Sequence, residues 1–401
     1  MQKRSKLFLI CILGVMNVIS PFSIDMYLPA FPHVAADMHV NMTTVSLTLS
    51  SYFIALGFGQ IFYGPLLDRF GRKRPLYVGF VLYILGSFGC AFAPNIYALI
   101  ALRFVQGIGG CAARVGAVAM VRDFFPVQES AKVFSLMFLF IAVSPMLAPT
   151  VGGFMMLWMS WRAVFFVLGI IVAAIFALVY FLLPEGHTPD PSISLKPVPI
   201  IKEYWAILKN PRFATYALAG ALAFAGMFTY VAGSPIIFLE GFHLSMQAYS
   251  GVFALLAGGF IGGSQLNVFL LRKFTSEQIV FGALILQGIV GVVFMIGTWF
   301  GWYGLPATLL LFFLFLGCGG LTFPNSSALA LSPFKKYAGS ASALLGFLQL
   351  GTSSLISTGI GLTKSHDAFP IIFILGLTTL CALAIYSIGH KRAHDPASLI
   401  E

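Results

Sequence analysis

Twelve apolar stretches, each close to the length that crosses a bilayer as a helix, follow one another along the 401-residue chain. Their approximate bounds are 7–29, 45–64, 76–93, 97–120, 133–157, 163–183, 213–238, 249–270, 278–298, 305–330, 339–362 and 369–389. A hydrocarbon core about 30 Å thick needs roughly 20 apolar residues in a helix. Backbone placed there must satisfy its own hydrogen bonds, which leaves only helices or closed barrels. Stretches this long read as helices. Composition agrees: 59% of residues are hydrophobic and 9% charged, against about 25% charged in soluble domains. The pattern predicts an all-α polytopic membrane protein with twelve transmembrane helices.

The one polar interruption, 184–212, carries six prolines with lysines and two glutamates. It divides the chain into a six-helix half over 1–184, a linker over 185–212 with a short amphipathic helix near 200–208, and a second half over 213–401. The net charge of +10 would suit nucleic acid, but its placement argues for topology instead. With the amino terminus inside, nineteen of the 23 basic residues fall in inner loops and tails, from Lys3, Arg4 and Lys6 to Lys391 and Arg392. Outer loops keep only Arg162 and Lys364, while Arg103 and Arg114 lie within the fourth helix. This is the positive-inside bias, and it puts both termini in the cytoplasm with no nucleic-acid partner. All five cysteines lie in apolar segments without disulfide or metal spacing. The basic start and apolar run at the amino terminus look like a signal peptide, but the run is too long and lacks a cleavage pattern. It reads as a retained first helix.

Within that helix, Pro21-Phe22-Ser23-Ile24-Asp25-Met26-Tyr27-Leu28-Pro29 holds the only carboxylate placed well inside an apolar segment. An isolated charge in hydrocarbon costs roughly 2.5–3.5 kcal/mol on insertion scales. Such a group faces a protein interior or wet cavity and often binds a proton or cation. Asp25 is therefore expected to titrate; the plainer reading is an interfacial cap at the helix end. The following stretch, about 29–44, with His33, Asp37 and His39, reads as an external loop.

Three further runs carry chemistry. Gly64-Pro65-Leu66-Leu67-Asp68-Arg69-Phe70-Gly71-Arg72-Lys73-Arg74 closes the second segment. Gly64 permits close helix contact, and Asp68 suits a helix N-terminus or nearby arginines. Arg103-Phe104-Val105-Gln106-Gly107 lies in the fourth, at a depth similar to Asp25, so a contact between Arg103 and Asp25 is expected. Arg114 follows Arg103 by 11 residues, which returns to within about 20° of the same helix face. A snorkelling or interhelical role would serve Arg114 equally. Ser144-Pro145-Met146-Leu147-Ala148-Pro149-Thr150-Val151-Gly152-Gly153, in the fifth, combines kinking prolines with glycines that allow close packing.

These runs resemble, in order, the G-x-L-a-D-R-x-G-R-[KR]-R motif between helices 2 and 3, the R-x-x-Q-G motif, and the antiporter motif of the major facilitator superfamily. The last departs from its pattern, with Ser144 and Ala148 where the family has glycine. Ser23–Pro32, Arg122–Pro126, Phe224–Phe228 and Ala338–Ser342 further resemble the Bcr/CflA group of bacterial drug:proton antiporters. The resemblance spans essentially the whole chain. It implies two pseudo-symmetric six-helix bundles in the inner membrane and export of drug-like amphiphiles, of the bicyclomycin or chloramphenicol class, against proton entry. Gly64, Asp68, Arg69, Gly71 and Arg72 would form a cytoplasmic latch, and Pro145, Pro149, Gly152 and Gly153 a moving, leak-proof helix. Asp25 and Arg103 would couple protons. The second half has no carboxylate inside its helices, so coupling is expected in the first.

A mid-membrane cavity would be lined by Asn17, Asp25, Tyr52, Gln106, Arg114, Met137, Phe228, Tyr230, Asn325 and Gln349, an aromatic and Met-bearing set suited to promiscuous binding. The partners implied are small-molecule substrates, protons and the bilayer; a monomer without metal or cofactor is expected. The alternative is proton-driven export of a native solute such as a siderophore, sugar or amino acid derivative. Symport is disfavoured by the helix 5 motif. No paired carboxylates, His cluster or nucleophile triad speak for an enzyme, and no G-x-x-x-x-G-K-[ST] loop speaks for ATP.

Overall fold

The computed structural model describes residues 3–125, 127–186, 188–191, 195–334, 338–362 and 367–393. They form helices, with no strand among them. In chain order these are α1 (Lys3–Asp25), a 3-10 turn (Leu28–Ala30), α2 (Phe31–Asp37), α3 (Met42–Phe70), α4 (Lys73–Ala91), α5 (Ile96–Phe124), α6 (Val127–Trp158) and α7 (Arg162–Leu182). Then follow α8 (Pro197–Lys209), α9 (Pro211–Pro235) with a π turn (Ile236–Gly241), α10 (Met246–Leu270), α11 (Ser276–Trp299), α12 (Leu305–Leu331), α13 (Ala338–Leu362) and α14 (Ala368–Ala393). Among the described residues, eleven helices are long and apolar enough to cross a membrane. The twelfth long helix is α6, 32 residues with Pro145 and Pro149 inside it.

The helix starts follow from short polar side chains that satisfy the free N–H groups of a first turn. The Oδ1 atoms of Asn41, Asn95 and Asn210 accept from the backbone N–H of Thr44, Ala98 and Phe213 at 2.8, 2.9 and 3.1 Å. Thr275 and Gln278 form a reciprocal capping box at α11. Gly71 ends α3 at φ +81, a left-handed conformation that glycine adopts without strain.

The chain forms two compact units, 1–196 and 197–401. In the first, the principal helix pairs are α3 with α5, α4 with α5, α1 with α6, α1 with α5, α4 with α7 and α1 with α7. In the second they are α10 with α12, α11 with α12, α9 with α13, α9 with α12, α11 with α14 and α9 with α14. Counted by order among the long helices, these are the same six pairings. Each unit thus repeats one packing scheme around its own apolar core. One core gathers Leu13, Met16, Phe80, Val121 and Val172, the other Phe213, Tyr216, Leu284, Ala341 and Tyr386.

The stretch expected as a linker, 185–212, contains the boundary between the units. Its first part bonds back to the first unit, where Asp190 N–H donates to the Asp68 carbonyl at 3.2 Å. Its helix, α8, packs on α9 and α13. The stretch 29–44 is not simply a solvated loop, because the 3-10 turn and α2 fold back onto the unit and bury Tyr27, Leu28, Ala30, Phe31 and Val34. Prolines at the helix starts suit this run, since their missing N–H would be unsatisfied there anyway. His33 and His39 are exposed, as expected.

Candidate functional site

Arg103, on α5, is fully buried, the largest such side chain among the described residues. A guanidinium there needs acceptors or aromatic faces, and α1, α3, α4 and α7 supply them. Nη1 donates to Gln106 Oε1 at 2.6 Å and to the main-chain carbonyl of Ser23 at 3.2 Å. Gln106 passes the network on, its Nε2 donating to Ser87 Oγ at 2.7 Å. The rings of Tyr52, Tyr27 and Phe165 surround the cation, with centroids 4.3, 5.0 and 5.7 Å from Cζ. Nε and Nη2 of Arg103 have no hydrogen-bond partner.

The Ser23 carbonyl is available because it lies in the last turn of α1, where carbonyls lack intrahelical partners. A cation at a helix C-terminus also meets the negative end of the dipole. Arg103 therefore caps α1. The expected contact with Asp25 is absent: this carboxylate, the last residue of α1, makes no ion pair or hydrogen bond among the described residues, although it is 6% exposed. Ser23 is fixed from its other side by a short hydrogen bond to the Tyr83 hydroxyl.

The proline-glycine run of α6 meets this same point. A Cβ at Gly152 would collide with the main-chain carbonyl of Met26, the residue after Asp25. Only glycine lets α6 lie this close. Ala148 and Pro149 are buried nearby in sequence, Pro145 is half-buried and Gly153 is buried.

Arg114 is half-buried on α5. The polar groups near enough to act on it electrostatically are the Cys111 thiol and the Tyr52 hydroxyl. That hydroxyl lies against Gly110, one turn before Arg114: a Cβ on Gly110 would sit 2.9 Å from it. Tyr52 thus packs its ring on Arg103 and its hydroxyl against Gly110, along one seam of α3 and α5. Asn17, on α1, is 7% exposed and its Oδ1 has no partner.

Where α3 gives way to α4, Arg72 is the hub. Its Nε and Nη2 donate to the Asp123 carboxylate at 2.7 and 3.2 Å, and its Nη1 to Asp68 Oδ1 at 2.5 Å. Burial alone would lower the Arg72 pKa, but the hydrogen bonds to Asp123 and Asp68 outweigh it and the net direction is upward. Glu185, 113 residues away, accepts from the Arg72 N–H at 2.7 Å and also from the Lys73 N–H, so it caps α4. Arg69 lies over the Phe70 ring. Gly64, expected to permit a close helix contact, meets nothing within 4 Å.

Other expected lining residues are occupied within their own units. Met137 is 1% exposed inside the first unit's apolar core. A cavity of about 440 Å³ in that unit, lined by residues such as Val15, Phe22, Phe140, Ser144 and Ile171, includes none of the expected lining set. In the second unit, Tyr230 stacks on Phe253 at 5.5 Å, and Phe228 meets the edge of Phe224 at 5.2 Å. Asn325 Nδ2 donates to Asn267 Oδ1 at 2.6 Å, and Gln349 Nε2 to Ser327 Oγ at 3.2 Å. Sequence reasoning did not single out Ser23, Tyr27, Ser87 and Phe165 around Arg103, nor Asp123 and Glu185 around Arg72. For Ser87 and Phe165 no sequence signal existed, because their roles arise from packing between helices.

The profile of the Major Facilitator Superfamily matches residues 13–358. An uncharacterized MFS-type transporter of Bacillus subtilis (strain 168), YdgK, is 33% identical over 97% of both chains. A bicyclomycin resistance protein homolog of Haemophilus influenzae is 28% identical over 96% of both chains. The multidrug resistance protein MdtL of Escherichia coli O81 is 30% identical over 97% of this chain and 99% of its own. Among solved structures, a D-xylose–proton symporter superposes with a TM-score of 0.71 over 95% of this chain at 16% identity, a likeness of fold. By its two repeated six-helix units and by these matches, the chain is a multi-pass membrane transporter that belongs to the Major Facilitator Superfamily.

Proposed function

We propose that this transporter exports drug-like amphiphilic molecules across the bacterial inner membrane by alternating access, in exchange for protons, with both termini in the cytoplasm. The names of its bicyclomycin-resistance and multidrug-resistance relatives support the substrate class. Asp25 carries the proton. One observation supports this above the others: a nearly buried carboxylate, without partners among the described residues, ends α1 two residues after the carbonyl that Arg103 caps, and one residue before the carbonyl that Gly152 of α6 touches. Any change in the kink of α6, or in the hold of Arg103 on α1, alters the surroundings of Asp25. A carboxyl that loses its charge tolerates an apolar enclosure, whereas a carboxylate requires water or a cation. Proton binding and helix movement are linked by that difference.

The test is gradient-driven efflux of a labelled phenicol from proteoliposomes by wild type and Asp25→Asn. Wild type is expected to move drug uphill, and Asp25→Asn to bind it but not to move it uphill. Uphill transport by Asp25→Asn at the wild-type rate overturns the assignment and leaves Asp25 as a helix cap. A resistance screen separates drug export from the alternative, proton-driven export of a native solute such as a siderophore, sugar or amino acid derivative.

A further inference from the structure

The arginines of this chain are mostly accounted for by partners. Arg72 is paired with Asp68 and Asp123, Arg162 with Asp37, and Arg212 with Glu277. Arg103 has its two acceptors and three rings. Arg114 has none of these: among the described residues no carboxylate, carbonyl or aromatic face engages its guanidinium, though it is half-buried in the middle of a 29-residue helix that crosses the membrane. It stands ten residues, or about 15 Å along the axis, from the inner end of α5. A cation within a span pairs with an anion, faces a wet cavity or marks a substrate path. Its near neighbours, the Cys111 thiol and the Tyr52 hydroxyl, are neutral groups. Among the described residues, then, no anion faces Arg114.

We infer that Arg114 selects exported molecules that carry a carboxylate, receiving it on the planar fork of its guanidinium. The bidentate match of guanidinium and carboxylate favours this anion over a diffuse negative charge. Among the described residues no ion pair joins Asp25 to Arg114. The inference rests on the export reading above and adds the substrate charge to it.

The experiment uses binding to the purified full-length protein, read by fluorescence, with dansyl-glycine, its methyl ester and dansyl-ethylenediamine. These share one apolar body and differ in charge. Wild type is expected to bind the carboxylate at least tenfold more tightly than the ester, and the amine most weakly. Arg114→Gln should bring acid and ester within about twofold of each other. Arg114→Lys, which keeps the charge but loses the fork, should retain part of the preference and guards against a misfolded glutamine variant. No preference in wild type, or equal loss of acid and ester affinity in both variants, overturns the inference. Proteoliposome efflux of the phenicol by wild type is run in parallel. Its failure counts against the export reading alone, because the binding preference is measured without a gradient.

Discussion

At the scale of single residues, the first unit is organised by groups whose partners are main-chain atoms. Arg103 holds the Ser23 carbonyl and Gly152 leaves room for the Met26 carbonyl, so the end of α1 is gripped from two helices. Overpacking a close contact costs typically 1–3 kcal/mol, and here the obstructing atom belongs to the backbone and cannot rotate away. Gly152→Val should therefore lower drug efflux by more than tenfold, and Gly152→Ala by less. Efflux from energised vesicles checks this, normalised to the amount of monodisperse protein recovered. If the valine variant exports normally, the contact of α6 with the end of α1 has no part in transport.

At the scale of elements, the ion cluster around Arg72 ties three connections together: the α3–α4 turn, the end of α5 through Asp123, and the segment after α7 through Glu185. Arg72 and Asp123 are mostly shielded, with side-chain exposures of 8% and 12%, while Asp68 is 47% exposed. Removing one member of a shielded pair leaves the other uncompensated, at a cost of about 3–5 kcal/mol; an exposed partner contributes far less. Asp123→Asn should thus lower the thermal midpoint in detergent much more than Asp68→Asn. Thermal unfolding followed by a thiol-reactive dye reads this directly, since Cys90 and Cys111 are buried in the first unit. Equal shifts for the two variants would show that shielding does not decide the strength of this cluster.

At the scale of the whole molecule, the boundary between units at Lys196 and Pro197 leaves α8 with the second unit, where Ile207 is buried and Val198, Ile201 and Trp205 form an exposed apolar edge. Two co-expressed fragments, 1–196 and 197–401, should restore drug resistance, whereas a split at 212 should not, because it strands α8 on the wrong piece. Resistance conferred by each pair, with fragment levels compared by immunoblot, distinguishes the outcomes; equal resistance from both splits would make α8 dispensable to the second unit. The spans were legible in the sequence because hydropathy sets them, while ends such as that of α3 at Phe70 lie beyond the apolar stretch, in the charged turn that follows it. The buried course of 28–37 was not legible, since a proline-rich run after a helix reads as a loop until packing decides otherwise. Gln106 could be placed with Arg103 from its spacing of three residues on one helix face. Glu185 could not be placed with Arg72, because nothing local encodes a contact across 113 residues.

The acceptor that Arg103 finds on α1 is a main-chain carbonyl, and this makes one half of the contact invisible to genetics. No codon change at position 23 deletes that oxygen. A selection for transport-deficient alleles would recover lesions in Arg103 and Gln106, while lesions in Ser23 would report on its hydroxyl and Tyr83 instead. Second-site revertants of an Arg103 lesion would for the same reason not arise by charge swapping, because the acceptor on α1 is no side chain. The interaction is heritable on one side only.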